Sequence, residues 1–366
     1  MIVLRILAYA LGAFGVIGTI VPFLRYDDWW IRGFDYPRQQ LVVILALSAT
    51  FWVFSQHPNG WVNWLVGITL FAATFYQAYR IYPYTKLYSK DSRNAQRLDD
   101  TEGHLSLMMS NVLQTNRRSD LVIELVKDED PDILLTVETN KWWERQLTEG
   151  LGDRYPHRVA VPLENLYGMH LWSKIELIDP KTTYRIKDDI PGIDAMIKLK
   201  NGREIDLHFV HPMPPSPSEA YASTGRDAEL ALVGLEVKNK PGRTAIVAGD
   251  LNDVAWSHSS RLFQRLSGLL DPRRGRGLFS TFHAEYRLMR WPLDHVFHSS
   301  DLTVVELKRL PYVGSDHFPV LIKLSYEPEQ DAQQGETPQG NDMKEAEETI
   351  DKGKRHEDNA VLKDRD

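Results

Sequence analysis

The sequence predicts an α/β domain of layered sheets and helices, set behind an N-terminal region of membrane-spanning helices and followed by a disordered acidic tail. Three observations lead there. Long uncharged stretches are confined to the first 85 residues. Between residues 104 and 326, short apolar runs of strand length alternate with runs of helical period. Residues 327–366 are rich in Glu, Asp, Gln and Lys and almost lack aromatic and β-branched side chains.

The chain has 366 residues, enough for one large domain with additions or for two ordinary domains. Charged residues make up 25% and apolar residues 43%, which excludes a wholly disordered, collagenous or coiled-coil chain. There are no cysteines, so disulfide scaffolds, thiolate zinc sites, iron–sulfur clusters and a Cys nucleophile are excluded. The net charge of −7 resides in the tail, where thirteen acids face six bases. The remainder is balanced and has no global field to attract a polyanion.

From Ile6 to Leu24 no residue is charged, and from Gln39 to Tyr79 only His57 can titrate. The second stretch is too long for one span, and His57-Pro58-Asn59-Gly60 is a turn signal. The expectation is three spans, at about 4–24, 40–56 and 60–80, with the middle one diluted by Ser48, Thr50 and Ser55. Trp29, Trp30, Trp61, Trp64, Tyr79, Tyr82 and Tyr84 fall at the expected interfaces. A cleaved signal peptide is the alternative for the first span, but no small-residue cleavage site follows it. With three spans, Arg25, Arg32, Arg38, Arg80, Lys86, Lys90, Arg93 and Arg97 share the side of the large domain, opposite Arg5. The positive-inside bias then puts that domain in the cytoplasm of a multi-pass membrane protein.

Residues 86–103 read as a polar linker, and 104–326 as the folded domain. Strands are expected at Leu105–Val112, Ile133–Val137, Met169–Trp172, Ile205–Val210, Thr244–Ala248, His295–His298 and Val320–Leu324. Helices are expected at Ser119–Glu129, Lys141–Gly150, Ser218–Lys238 and Trp256–Leu266.

Acids, amides and histidines recur at the ends of these apolar runs, where a scaffold presents groups rigidly to a cleft. They are Asn111, Glu138, His211, Asp250 with Asn252, Asp294, and Asp316 with His317. Glu138, Asp316 and Asn111 are hard oxygen ligands that suit Mg²⁺ or Mn²⁺ rather than zinc. The histidines and remaining carboxylates can pair, which orients an imidazole and raises its basicity. A divalent cation, a His pair and an Asp–Asn pair fit in-line attack of water on a phosphate ester. No Gly-x-Ser-x-Gly elbow competes.

The ordered series Asn111, Pro131-Asp132-Ile133-Leu134 leading to Glu138, Tyr167-Gly168-Met169-His170-Leu171-Trp172-Ser173-Lys174, His211, Gly249-Asp250-Leu251-Asn252, Leu293-Asp294-His295-Val296-Phe297 and Ser315-Asp316-His317-Phe318-Pro319-Val320 resembles the endonuclease/exonuclease/phosphatase superfamily. The resemblance spans roughly residues 104–326. It implies the DNase I-like fold: a four-layer α/β sandwich with its cleft at one end. It implies that Glu138 is the main metal ligand, with Asn111 and Asp316 beside it. Asp250 and Asn252 would activate the attacking water, and His317, paired with Asp294, would contact the scissile phosphate. His211 would serve the leaving oxygen in preference to His208. His170 is expected to pack in its strand, and Tyr167 lies one residue away from a phosphate-binding Tyr of some members. Leu113, Val137 and Ser110 stand where other members carry an acid, a Gln and a Trp; these departures argue against abasic-site repair.

Fold does not choose the substrate. The loop Arg273-Arg274-Gly275-Arg276-Gly277 is a candidate for phosphate contacts near the cleft. The default expectation is a membrane-anchored nuclease, endo- or exo-acting. A lipid or inositol phosphate phosphatase or phosphodiesterase is the alternative, and a catalytically silent membrane-anchored binding module is the reading from another class. The partners implied are a nucleic acid or a phospholipid headgroup, and the membrane; no protein partner follows from the sequence.

Overall fold

The computed structural model describes residues 2–55, 60–328 and 333–363. His57-Pro58-Asn59, the expected turn, lies outside them. The chain begins with helix α1 (Ile2–Ile20), extended by a 3₁₀ turn over Val21–Leu24, then a single turn α2 (Trp29–Arg32) and the long helices α3 (Arg38–Ser55) and α4 (Trp61–Ile81). The long helices pack around Ala8, Leu45, Ala49, Trp52 and Leu70. Small residues make the approach close: a Cβ at Gly15 would lie 2.6 Å from Leu45, and one at Gly67 would lie 2.5 Å from Trp52. Ile2–Leu24 and Arg38–Ser55 are long and apolar enough to cross a membrane. Among the described helices α4 does not reach that hydropathy; Asn63, Thr69, Thr74 and Gln77 dilute it. The third segment, rather than the middle one, is therefore the weakest of the three.

At one end of this bundle the buried Arg38 is paired with Asp35 (3.0 Å) and donates to the Gln77 side chain (3.0 Å). Gln77 in turn donates to the Thr19 hydroxyl (3.0 Å). One polar chain thus ties α1, α3 and α4.

The α/β domain follows with β1 (His104–Asn111), α5 (Ser119–Glu129), β2 (Ile133–Val137), α6 (Lys141–Leu151), β3 (His157–Val161), β4 (Met169–Ser173), β5 (Ile178–Thr183), β6 (Gly192–Lys198), β7 (Glu204–Phe209), α7 (Thr224–Lys238), β8 (Thr244–Asp250), α8 (His258–Ser267), β9 (Asp294–His298), β10 (Leu302–Arg309) and β11 (Val320–Tyr326). One mixed sheet has the order β10-β11-β1-β2-β4-β3, and the other has β5-β6-β7-β8-β9. Alternation along the strands assigns each face. Leu105, Leu107 and Met109 of β1 meet Leu207, Phe209 and Ile246 of the second sheet in a shared core. Met108, Leu134 and Trp172 point the other way, onto Val122, Val126, Trp143 and Leu147 of α5 and α6. Val247 and Phe297 pack likewise on Leu230, Val233 and Phe263 of α7 and α8.

Three sequence expectations need correction. β3, β5, β6 and β10 were not foreseen. Three of these, β3, β5 and β10, are sheet edges and half exposed, and β5 carries almost no apolar residue. Residues 86–103 have little regular structure but are not a loose tether: Ser92 bonds to His298 (2.7 Å), and Asn94 bridges to Val304. The acidic tail is not disordered throughout. Helix α9 (Asp342–Lys363) lays Met343, Ala346 and Ile350 on Ala231, Leu262 and Leu266, and Asp342 is paired with Arg265 at 2.7 Å.

The N-terminal region is docked on the domain. Trp256 donates its indole N–H to the Asp35 carbonyl (2.7 Å), and the Tyr84 hydroxyl donates to the Ala255 carbonyl (2.7 Å). Tyr36, Ile81 and Tyr84 join Val254, Trp256, Leu293 and Trp291 in one apolar cluster.

Candidate active site

The strand ends converge at one end of the two sheets. Two glycines permit the approach. A Cβ at Gly249 would sit 1.7 Å from the Val210 carbonyl oxygen, so only glycine lets β8 run this close to the segment that bears His211. A Cβ at Gly168 would meet the Thr139 carbonyl at 1.7 Å, which similarly fixes Tyr167 beside the end of β2. Glu138 itself adopts φ of 60°, and Asn252 φ of 49°. Left-handed backbone at a glutamate is costly, and its use at a strand end points to a functional position.

Asn111 lies between two carboxylates. Its amide donates to Glu138 (2.7 Å) and to Asp250 (3.1 Å), while its carbonyl accepts from the Leu113 N–H (3.0 Å). Burial pushes the Glu138 carboxyl up to about 7; the Asn111 bond opposes this, and the neighbouring Asp316 and Asp250 add to it. Asp250 accepts from the Asn252 N–H (3.0 Å) and is shifted upward, chiefly by burial. Asn252 is held on both sides: its amide donates to the Pro212 carbonyl (3.0 Å), and its own carbonyl accepts from the Tyr36 hydroxyl (2.7 Å) and the Arg226 guanidinium (2.8 Å).

His317 lies between two acids, with its ring 5.0 Å from that of Phe282. Its Nδ1 bonds to Asp294 (2.7 Å), and its Nε2 lies 3.4 Å from Asp250. Burial alone would depress its basicity, but Asp294 and Asp250 outweigh burial and lift it to about 10. His211 lies 3.9 Å from Asp250 and stays neutral at pH 7, because burial pushes it down to about 4. Its ring packs 5.4 Å from that of Tyr167, whose hydroxyl bonds to Glu219.

Of the expected residues, the structure brings together Asn111, Glu138, His211, Asp250, Asn252, Asp294, Asp316 and His317. Glu138, Tyr167, His211, Asn252, Asp316 and His317 line one cleft of about 470 Å³. His208 is elsewhere, bonded to Asp194 (2.9 Å) in a buried network with Arg185. His170 packs inside β4, pushed down to about 3 by burial. The arginine loop is a correction. Arg273 is buried and paired with Asp271 (2.7 Å); Arg274 is paired with Asp91 (2.8 Å) and Glu336 (2.7 Å); Arg276 donates to Asn94 (2.6 Å). None of the three lines the cleft. Arg273 is neutralised by its neighbour Asp271 and Arg274 by acids far away in sequence, while Arg276 is held by neutral groups. Sequence reasoning missed Trp29, Gly33 and Tyr36, which reach the cleft from the N-terminal region, and Phe282 and Trp291, which wall it. No motif marks them.

Asp250, Asp294 and His317 place their ligand atoms within 4.8 Å of one another, a buried cluster able to hold a metal ion. Buried paired acids with a His–Asp couple, at the mouth of two packed mixed sheets, define a phosphoesterase-type site. The chain belongs to the endonuclease/exonuclease/phosphatase family, whose sequence profile matches residues 109–317. Its fold is similar to that of an endonuclease/exonuclease/phosphatase from Beutenbergia cavernae (17% identity, TM-score 0.51, covering 61% of this chain and 72% of that one). It is similar also to D. rerio TDP2 complexed with a single-strand DNA product (15%, 0.50, 61% and 99%) and to the human nocturnin catalytic domain with a bound sulfate (18%, 0.50, 61% and 95%). No protein of curated function matches the chain.

Proposed function

We propose that the protein is a membrane-anchored phosphodiesterase, dependent on Mg²⁺ or Mn²⁺, that hydrolyses a phosphate ester by in-line attack of water. The observation that carries this reading is the meeting of Glu138 and Asp316 with the His317–Asp294 pair and Asp250 in one cleft.

The donor set fits a hard cation. Glu138 lies partly buried beside two further acids, and no Lys or Arg among the described residues lines the cleft to balance them. An imidazole held protonated between two carboxylates has no free lone pair, so His317 is a poor ligand. We therefore assign the ion to Glu138, with Asn111 and Asp316, rather than to the cluster containing His317. The ion would supply charge neutralisation at the phosphate oxygens.

The remaining groups supply proton transfers. Asp250 and Asn252 orient a water, and Asp250 takes its proton as the new P–O bond forms. The P–O bond to the leaving group breaks, and the departing oxygen takes the proton that His317 holds on Nε2. Asp250 then returns the water's proton to His317 across 3.4 Å. The sum is diester plus water giving monoester plus alcohol. His211, neutral at pH 7, hydrogen-bonds a phosphate oxygen instead of acting as an acid.

Helices α1, α3 and α4 form the anchor, residues 86–103 a packed connection, and 104–326 the catalytic domain, which faces the cytoplasm. Fewer than half of the residues of α1 and α3 are buried, unlike those of core helices of a soluble protein. Phe14, Ile17, Phe54, Phe71 and Phe75 are exposed along the bundle. The test is hydrolysis of bis-p-nitrophenyl phosphate by the full chain in detergent. Turnover should require Mg²⁺ or Mn²⁺ and vanish in Glu138→Gln; turnover unaffected by a chelator would refute the metal assignment.

A further inference from the structure

The cleft is walled in an unusual way for a site that acts on a polyanion. Its lining is largely apolar and aromatic: Trp29, Tyr36, Leu166, Pro215, Phe282 and Trp291 surround the acids and histidines. Among the described residues no Lys or Arg reaches it. A nucleic acid strand needs a track of cations along its backbone, with or without aromatic stacking. This cleft has aromatics without the track, and in the arginine loop that could have supplied it Arg273 and Arg274 are tied into internal ion pairs and Arg276 is bonded to Asn94.

The second observation is position. Trp29, Gly33 and Tyr36 belong to the connection between α1 and α3, at the end where the exposed apolar surface of those helices begins. Phe23 and Leu24, just before it, are exposed, and so is Val43 just after it. A loop of the catalytic domain reaches the same level: the Leu288 carbonyl accepts from the Gln40 side chain in the first turn of α3 (2.8 Å). That loop exposes Tyr286, Leu288 (85% accessible) and Met289, and its two flanks, Phe282 and Trp291, bridge to each other and wall the cleft. A helix bundle in a bilayer thus holds the cleft mouth at the headgroup level, with three apolar side chains beside it. Such side chains lower their free energy by entering the interface.

We infer that the substrate is a membrane phospholipid, whose headgroup phosphate enters the cleft from the bilayer surface while its acyl chains stay in the membrane. This rests on the phosphodiesterase reading above and deepens it. The cleft volume of about 470 Å³ accommodates a headgroup. A single phosphate diester carries one charge, so it needs no track of cations along a backbone. Water adds to phosphorus, one P–O ester bond breaks, and the alcohol leaves with a proton, so that a lipid phosphodiester and water give a phosphomonoester and an alcohol.

The full chain, in detergent micelles containing phosphatidylglycerol and phosphatidylethanolamine, is assayed with Mg²⁺ against equal phosphate concentrations of a single-stranded DNA oligonucleotide and of bis-p-nitrophenyl phosphate. Phospholipid should be hydrolysed with kcat/KM about a hundredfold above that for DNA. The double variant L288D/M289D, altered outside the cleft, should lose about tenfold on phospholipid in vesicles and nothing on the soluble diester. DNA cleaved as well as or better than phospholipid overturns the inference. So does a loss in the double variant that is equal on both substrates. Hydrolysis of the soluble diester without that of phospholipid sinks the lipid assignment and leaves the phosphodiesterase standing. Hydrolysis of none sinks both.

Discussion

Glu138→Gln should make the metal-free protein more stable while abolishing its activity. Folding raises this carboxyl from an ordinary 4.5 to about 7, so the folded state holds the proton more tightly than the unfolded chain. Stability associated with it is present below pH 4.5 and is lost as pH rises through 7. The shift corresponds to roughly 3 kcal/mol of destabilisation at pH 8. A neutral glutamine escapes that cost and can still accept from the Asn111 amide (2.7 Å). It turns its NH₂ towards the Gln114 N–H, which now points at Glu138 at 3.4 Å, and loses about 1 kcal/mol there. The net gain is about 1–2 kcal/mol, or a melting temperature higher by roughly 2–8 °C. Thermal unfolding of both proteins in a chelator, at pH 5 and pH 8, measures it. The gain should appear at pH 8 and shrink at pH 5, where Glu138 is protonated in the wild type. Saturating Mg²⁺ should stabilise the wild type and leave the variant unmoved. A variant that is less stable at pH 8, or a gap independent of pH, would refute the assignment of Glu138 as a carboxyl whose ionisation destabilises the metal-free site.

His317 and Asp294 should act as a unit: Asp294→Asn should cost roughly 10²-fold in turnover, and the double variant with His317→Ala little more than His317→Ala alone. The alkaline limb of the pH–rate profile should move down in Asp294→Asn, because Asp294 is the chief group holding the imidazole near 10; additive losses with an unmoved limb would make Asp294 structural. Tyr36→Phe should leave the fold intact but cut kcat by about tenfold, with KM little changed, by releasing the Asn252 carbonyl. Ile350→Asp should destabilise the domain by about 2 kcal/mol, since this buried α9 side chain packs on α7 and α8; no change in the unfolding midpoint would make α9 dispensable. A C-terminal fusion should be fluorescent with a cytoplasmic reporter and silent with alkaline phosphatase; the reverse result puts the domain on the other side of the membrane.

Where the sequence was legible, function and packing left separate marks. The interior strands β1, β2, β7 and β8 are largely buried along their length, and each runs into a polar group at or just past its end: Asn111, Glu138, His211 and Asp250; Asp316 stands just before β11. That placement made Asn111, Glu138, Asp250 and Asp316 visible. Edge strands such as β5, with Asp179, Pro180 and Lys181 exposed, leave no such mark. The tail misled for a related reason. Its few apolar residues, Met343, Ala346 and Ile350, are spaced three and four apart, enough for one narrow stripe against α7 and α8 although the average composition is that of a disordered chain.

The arginine loop misled in the opposite direction. Clustered cations suggest an anion, but Asp91 and Glu336, which neutralise Arg274, are distant in sequence and meet it only in the fold. The same holds for Trp29 and Tyr36, which carry no catalytic signature and become part of the site only because α1 and α3 hold their connection against the Asp250–Asn252 turn. Chemistry confined to one strand end can be read locally; a cleft wall shared between an anchor and a catalytic domain cannot. The consequence is that excising residues 104–326 would remove a wall of the cleft and uncover Val254, Trp256 and Leu293. The substrate preference of such a fragment would then not be that of the protein, and the full chain is the molecule in which to measure it.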